Sequence, residues 1–232
     1  MDAMTQLIVA SLSFVGTHFL LSHPLRDPLA RRLGEAAFRG LYALVALVTL
    51  GWVIWAYRGA PTNAAYVAGD SLWIIATALM WAASILLVGS FAGNPALPAP
   101  GALAAATRQP RGVYAITRHP MMWSFALWAL VHLMIAPSAR NHVLMPAILL
   151  LALGGAAGQD IKKARLMGEA WRTWRGRTAW FPFGAQLRGQ LSWGAAVPSL
   201  IVLLLGTLFW LGVTYGHAEM GVPAAGIWRW IG

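Results

Sequence analysis

Cysteine is missing from the whole chain, which excludes disulfides, thiolate nucleophiles and Cys-ligated metal or iron–sulfur centres. Charge is scarce as well, at 10% of residues, against about 25% in a soluble domain. Acids are scarcest: Asp2, Asp27, Glu35, Asp70, Asp160, Glu169 and Glu219 are all there are. None falls in the middle of an apolar run, so paired-carboxylate acid–base chemistry and carboxylate-bridged metals have little to be built from. The opening MDAMTQ lacks a basic n-region, and the first apolar run is therefore expected to be a retained span rather than a signal peptide.

What is present is apolar. Hydrophobic residues make up 59% of the 232, and 13 tryptophans suit a protein with two membrane interfaces to anchor. Crossing a bilayer takes about 20 apolar residues. Six segments approach that length: residues 4–21, 40–57, 72–91, 121–136, 143–158 and 193–215. The expectation is an all-α, polytopic transmembrane helix bundle of about six spans, with residues 1–232 as one membrane domain. The fourth and fifth segments are short, and Pro146 is expected in the first turn of the fifth. They read as an αα-hairpin, with a re-entrant pair as the alternative. Residues 94–110, rich in Pro and Ala, read as an irregular connection. Gly154 and Gly158 form a G-x-x-x-G spacing that lets helix backbones approach in lipid.

Charge placement sets an orientation. Residues 22–39, 92–120 and 159–192 carry 4, 3 and 7 Lys/Arg, whereas the opposite loops and tail hold only Arg58, Arg140 and Arg229. This asymmetry predicts a cytoplasmic basic side with both termini periplasmic. The net charge of +10 is thereby assigned to lipid headgroups, with no nucleic acid partner.

The stretch from Gly112 through Leu133, GVYAITRHPMMWSFALWALVHL, joins a basic entry (Arg118, His119, Pro120) to an apolar run carrying His132. Arg and His at a membrane mouth, with another His inside the hydrocarbon, are costly placements that usually mark function. Six histidines are present: His18, His23, His119, His132, His142 and His217. With thiols absent and carboxylates outside the spans, neutral imidazole is the intramembrane ligand left. His119 and His132 would point about 140° apart on an unbroken helix, so one small metal ion cannot take both. Two histidines on different helices fit axial ligation of a haem. Ser124, Phe125 and Trp128 share the face of His132, and Arg26, Arg39 and Arg118 are candidate partners for the propionates. The plainer alternative for each histidine is a hydrogen bond to a neighbouring helix. For Arg118-His119-Pro120 it is an interface arginine ahead of a first-turn proline.

Several of these motifs together resemble the NnrU family of membrane proteins. They are FVGTHFLLSHPLRDPLARRLGEAAFRGLY (14–42), the RHP triplet with a histidine thirteen residues on, WRTWRGRTAWFPF (171–183) and H-x-x-x-G-V-P (217–223). The resemblance covers nearly the whole chain. It implies a bacterial inner-membrane protein associated with denitrification and nitric oxide metabolism. Through the related plant zeta-carotene isomerases it also implies haem b, iron held by His18 and His132, and isomerase-like chemistry on an apolar, lipid-soluble polyene. His23, Arg118, His119 and His217 carry over as motif residues. His18 and His132 are expected at different depths, which a tilted macrocycle accommodates; an upright one would favour His119 as the partner. A wider similarity, on GVYAITRHP and the aromatic–Pro end, is to isoprenylcysteine and phospholipid methyltransferases. It implies an S-adenosylmethionine pocket around Tyr114, Arg118, His119 and Glu169, although Gly158-Gln159-Asp160-Ile161 offers one acid where that pattern has a pair. A third expectation is a non-catalytic membrane partner.

Overall fold

A computed structural model describes residues 1–97 and 101–231 of the chain. Among these residues the fold is all-α and polytopic, with no strand beyond an isolated bridge between Ala64 and Ser138. Helix α1 (Ala3–Ser22) starts where the Asp2 carboxylate accepts from Thr5 N–H, and stops at His23-Pro24. Gly34, at φ +81°, separates α2 (Arg26–Leu33) from α3 (Glu35–Gly59), which ends ahead of Pro61. Next come α4 (Asp70–Gly89), α5 (Ala102–Thr107) and α6 (Val113–Ile116). Pro120 opens α7 (Pro120–Ile135), and Gly168 at φ +55° closes α8 (Ala139–Met167). Helices α9 (Glu169–Arg177) and α10 (Gly184–Leu187) precede a single 3₁₀ turn, Trp193–Ala196. Ser199 then caps α11 (Leu200–Glu219), and α12 (Trp228–Ile231) ends the described chain.

Among the described residues five helices are long and apolar enough to cross a membrane: α1, α3, α4, α8 and α11. Helix α7 is the sixth apolar one, at 16 residues. Three expectations are corrected. The fifth span is not short: its helix starts before His142 and runs 29 residues to Met167, so Pro146 lies in its interior rather than its first turn, and Asp160 is inside the helix. The last span begins at Leu200 instead of Trp193, because Pro198 cannot donate to a continuing turn and Ser199 caps a fresh start. The connection at 94–110 contains α5; its residues 98–100 lie outside the described residues.

The chain forms two compact units, each described by itself. The first, Met1–Ala68 with His132–Gly158, packs α1 against α3. Its core is Leu7, Ala10, Val53, Ala56 and Ala60, with Val143 and Leu144 against it. Gly154 and Gly158 do receive neighbours, the rings of Phe19 and His23 from α1. The outward faces of α3, including Leu44, Leu47, Ile54 and Trp55, are exposed, as lipid-facing residues must be. At one end of this unit Tyr57 Oη donates to Asn141 Oδ1 (2.6 Å), and Asn141 Nδ2 donates to the Ala136 carbonyl (2.6 Å).

The second unit comprises Gly69–Val131 and Gln159–Gly232. Helices α4 and α11 pack closely: a Cβ on Gly206 would stand 2.9 Å from Ile85 Cα, and Trp81 Nε1 donates to Thr207 Oγ1 (2.9 Å). At one end, Ile85, Leu86 and Val113 form a cluster with Trp123 and Val202, and a second cluster sets Trp171 and Trp174 beside Ala96, Ala106 and Tyr114. At the opposite end of α11, the chain after His217 folds back, with Trp210 Nε1 donating to the Ala225 carbonyl (3.0 Å).

Candidate functional site

Two sequence motifs meet in the second unit. The segment 115–118 is stitched to 179–186 by main-chain and side-chain bonds. Arg118 N–H donates to Ala179 O (2.9 Å), Phe183 N–H to Ile116 O (2.7 Å), Thr117 Oγ1 to Trp180 O (2.7 Å) and Gln186 Nε2 to Ala115 O (3.1 Å). Trp123 Nε1 adds a bond to Trp180 O (2.8 Å). The RHP triplet is thereby fixed against the TAWFPF segment, and its first two side chains turn inward.

Inward they meet Asp160. Arg118 Nε donates to both carboxylate oxygens (3.0 and 3.0 Å) and Nη2 to Oδ2 (2.5 Å). His119 Nε2 lies 3.0 Å from Oδ1, which makes Nε2 the protonated nitrogen. The His119 side chain is fully buried, and both charged partners are nearly so. Deep in a fold, such an ion pair holds together because each charge compensates the other; neither survives alone. Nδ1 of His119 is buried and unpartnered, and the ring packs against Trp171.

On its other side Arg118 faces a cavity of about 470 Å³. Arg172, Arg175 and Arg188 line it too, with Trp180 and Phe181 as its aromatic wall. Among the described residues the lining holds four guanidiniums and no carboxylate. Glu169, a candidate for contact with a cationic cofactor, pairs with Arg172 at the surface (2.8 Å). Tyr114, the remaining residue of that candidate pocket, spends its hydroxyl on the carbonyls of Ser90 (3.1 Å) and Ala92 (2.8 Å), and burial pushes its phenol up. The arrangement can hold an anionic group by charge-assisted hydrogen bonds from several directions.

The other expected site residues lie elsewhere. His18 sits in α1 with Nδ1 2.7 Å from Phe14 O and its ring edge-on to Tyr42, near the start of α3. His132 is in the last turn of α7, four residues before Ala136. Ala136 is tied through Asn141 to Tyr57, near the end of α3. Tyr42 and Tyr57 are separated by roughly 22 Å along that helix. His18 thus lies beside the start of α3, and His132 lies one helical turn from a residue tied to the end of α3. Arg26 is engaged by Glu35 (2.8 Å) and Asp27 (3.3 Å), and Arg39 is exposed. His23 Nδ1 faces Phe19 O (3.3 Å) while its buried Nε2 has no partner. His142 Nδ1 faces Ser138 O (2.9 Å), and His217 Nδ1 faces Val213 O (2.8 Å) at the far end of α11.

Sequence reasoning missed Asp160 as the shared partner, and it missed Arg172, Arg175 and Arg188. The spacing of Arg172 and Arg175 was a usable signal, since residues three apart share a helix face. Nothing in the sequence pointed to Arg188.

The family model described as NnrU protein matches residues 6–224, nearly the whole chain. No curated protein and no solved structure matches it.

Proposed function

The chain belongs to the NnrU family, and from that premise we propose that its arginine-lined cavity binds a polyanionic ligand at the membrane surface. The observation that carries this is the convergence of Arg118, Arg172, Arg175 and Arg188 on one cavity whose lining holds no carboxylate. Guanidinium forks match phosphate and carboxylate oxygens, and clustering several raises both affinity and rate of capture. Asp160 serves to hold Arg118 and His119 in place, since its oxygens are taken by those two groups.

The alternatives are less well served by these residues. S-adenosylmethionine brings a sulfonium cation, which Arg175 and Arg188, the two lining guanidiniums not paired with a carboxylate among the described residues, repel. A haem b, with nitric oxide metabolism or polyene isomerisation as its purpose, would need His18 and His132 on one iron, whereas His18 packs on Tyr42 near the start of α3 and His132 is one turn from Ala136, which is tied to the end of α3. The excess of Lys and Arg on the segments around the cavity supports a cytoplasmic site in a bacterial inner membrane.

Binding of pyrophosphate and of glycerol phosphate to the detergent-purified full chain tests the proposal. Trp180 lines the cavity, so intrinsic fluorescence should report occupancy. Replacing both Arg175 and Arg188 by Ala should weaken pyrophosphate binding roughly 100-fold, taking each lost charged hydrogen bond at about 1.5 kcal/mol. Unchanged affinity in that variant would sink the proposal.

A further inference from the structure

The rim of the arginine cavity is apolar and exposed. Phe181, in the cavity wall, is 65% exposed, and Leu187, next to Arg188, is 76% exposed. Phe183 stacks on Trp193 (centroids 5.8 Å apart, planes at 27°), and both are exposed. In water four such side chains would be a liability. The segment carrying them leads into α11 and is bonded to residues 116–118 just ahead of α7, and exposed aromatics at the mouths of two apolar helices are the side chains that anchor at a membrane interface.

Backbone conformation points the same way. Phe183 sits at φ +61°, and among the described residues it is the only non-glycine in the left-handed region. A bulky side chain there is strained, and such strain persists where surrounding structure over-determines it, often at functional sites. Glycine would relieve the strain but would remove the ring that stacks on Trp193. The next residue shows how tightly this turn is set: a Cβ on Gly184 would come within 2.9 Å of Ala179 Cβ. The turn thus holds an aromatic rim in place beside Arg188.

We infer that the ligand is a phosphorylated amphiphile drawn from the bilayer, its phosphate at Arg175 and Arg188 and its chain lying over Phe181 and Leu187. This rests on the polyanion reading above and adds the source of the ligand. Soluble phosphates satisfy the arginines but leave the rim unused, whereas a phospholipid-like molecule matches both halves by charge and by apolar contact.

The test compares phosphatidic acid with glycerol phosphate, the same head without chains, on the full chain in detergent. Three proteins are measured: the natural sequence, Phe181→Ser, and Arg175→Ala with Arg188→Ala. All three positions are exposed, so folding should survive, and a matching circular dichroism spectrum checks it. The expected result is that phosphatidic acid binds at least tenfold tighter than glycerol phosphate, beyond what phosphatidylcholine shows. Phe181→Ser should erase most of that advantage, lowering the affinity for phosphatidic acid at least tenfold more than that for glycerol phosphate, and the arginine variant should lose both ligands. Equal affinity for the two ligands, indifferent to Phe181→Ser, would overturn the lipid source and leave the anion site standing. Failure of both ligands to bind, or their retention by the arginine variant, would overturn both readings together.

Discussion

At the scale of single residues, Asp160 has the largest consequence. It neutralises Arg118 and accepts from His119, all three being buried. Asp160→Ala leaves a buried guanidinium without a counter-charge, and chemical unfolding of the purified protein should show a loss of about 3–5 kcal/mol. Tyr114 offers a pH test. Its phenol is held neutral by burial, so its folded pKa lies above its unfolded value of about 10. The folded state then binds the proton more tightly, so stability from this group is complete below pH ~10 and drains away as pH rises further. Tyr114→Phe should cost about 1 kcal/mol at neutral pH for the lost hydrogen bond that its hydroxyl shares between two carbonyls. The gap between the natural protein and that variant should narrow above pH ~10; a gap that is flat with pH would contradict the burial argument. Both residues show what sequence can and cannot display. Arg118 and His119 stood out because charge at the edge of an apolar run is costly. Their partner was hidden 41 residues further on, beyond the apparent end of a span.

Helices carry the next lesson. The G-x-x-x-G spacing in α8 was visible, and Gly154 and Gly158 do accept close neighbours, but these are the rings of Phe19 and His23 rather than another backbone. Backbone-to-backbone approach occurs instead at Gly206, where an added Cβ would meet Ile85 Cα at 2.9 Å. No paired small residue announces it four positions away, so only packing reveals it. Gly206→Ala should destabilise the α4–α11 contact by about 1–3 kcal/mol, because backbone cannot step aside as a side-chain tip can; a thermal melt unchanged by this substitution would be inconsistent with the packing described. Span positions were legible from apolar length, since hydrocarbon demands it. Span ends were not, because a helix may continue into the interface wherever its polar residues find partners, as α8 does through Asp160 and Lys163.

For the molecule as a whole, the basic asymmetry predicts orientation, and the absence of cysteine makes it easy to examine. Val67→Cys, in the loop between α3 and α4, should react in intact cells with a maleimide that cannot cross the membrane. Gln109→Cys, between α5 and α6, should react only after permeabilisation. The reverse pattern would invert the orientation and put the arginine cavity outside. The all-α polytopic class followed from composition together with the lengths of the apolar runs. The site did not, because its parts come from four separated stretches of the chain and converge only once the segment 179–186 is bonded to 115–118.

One further consequence follows from the unequal lengths of α7 and α8. At 16 and 29 residues they measure roughly 24 and 44 Å, against a hydrocarbon layer of about 30 Å. Helix α7 is shorter than such a layer and α8 longer, and Asp160 lies about 32 Å along α8 from its first residue. Hydrophobic mismatch is therefore built into both helices, and lengthening the acyl chains of the host bilayer should draw this carboxylate, with Arg118 and His119, toward oil. Bilayer thickness should act on this protein at Asp160 before it acts anywhere else.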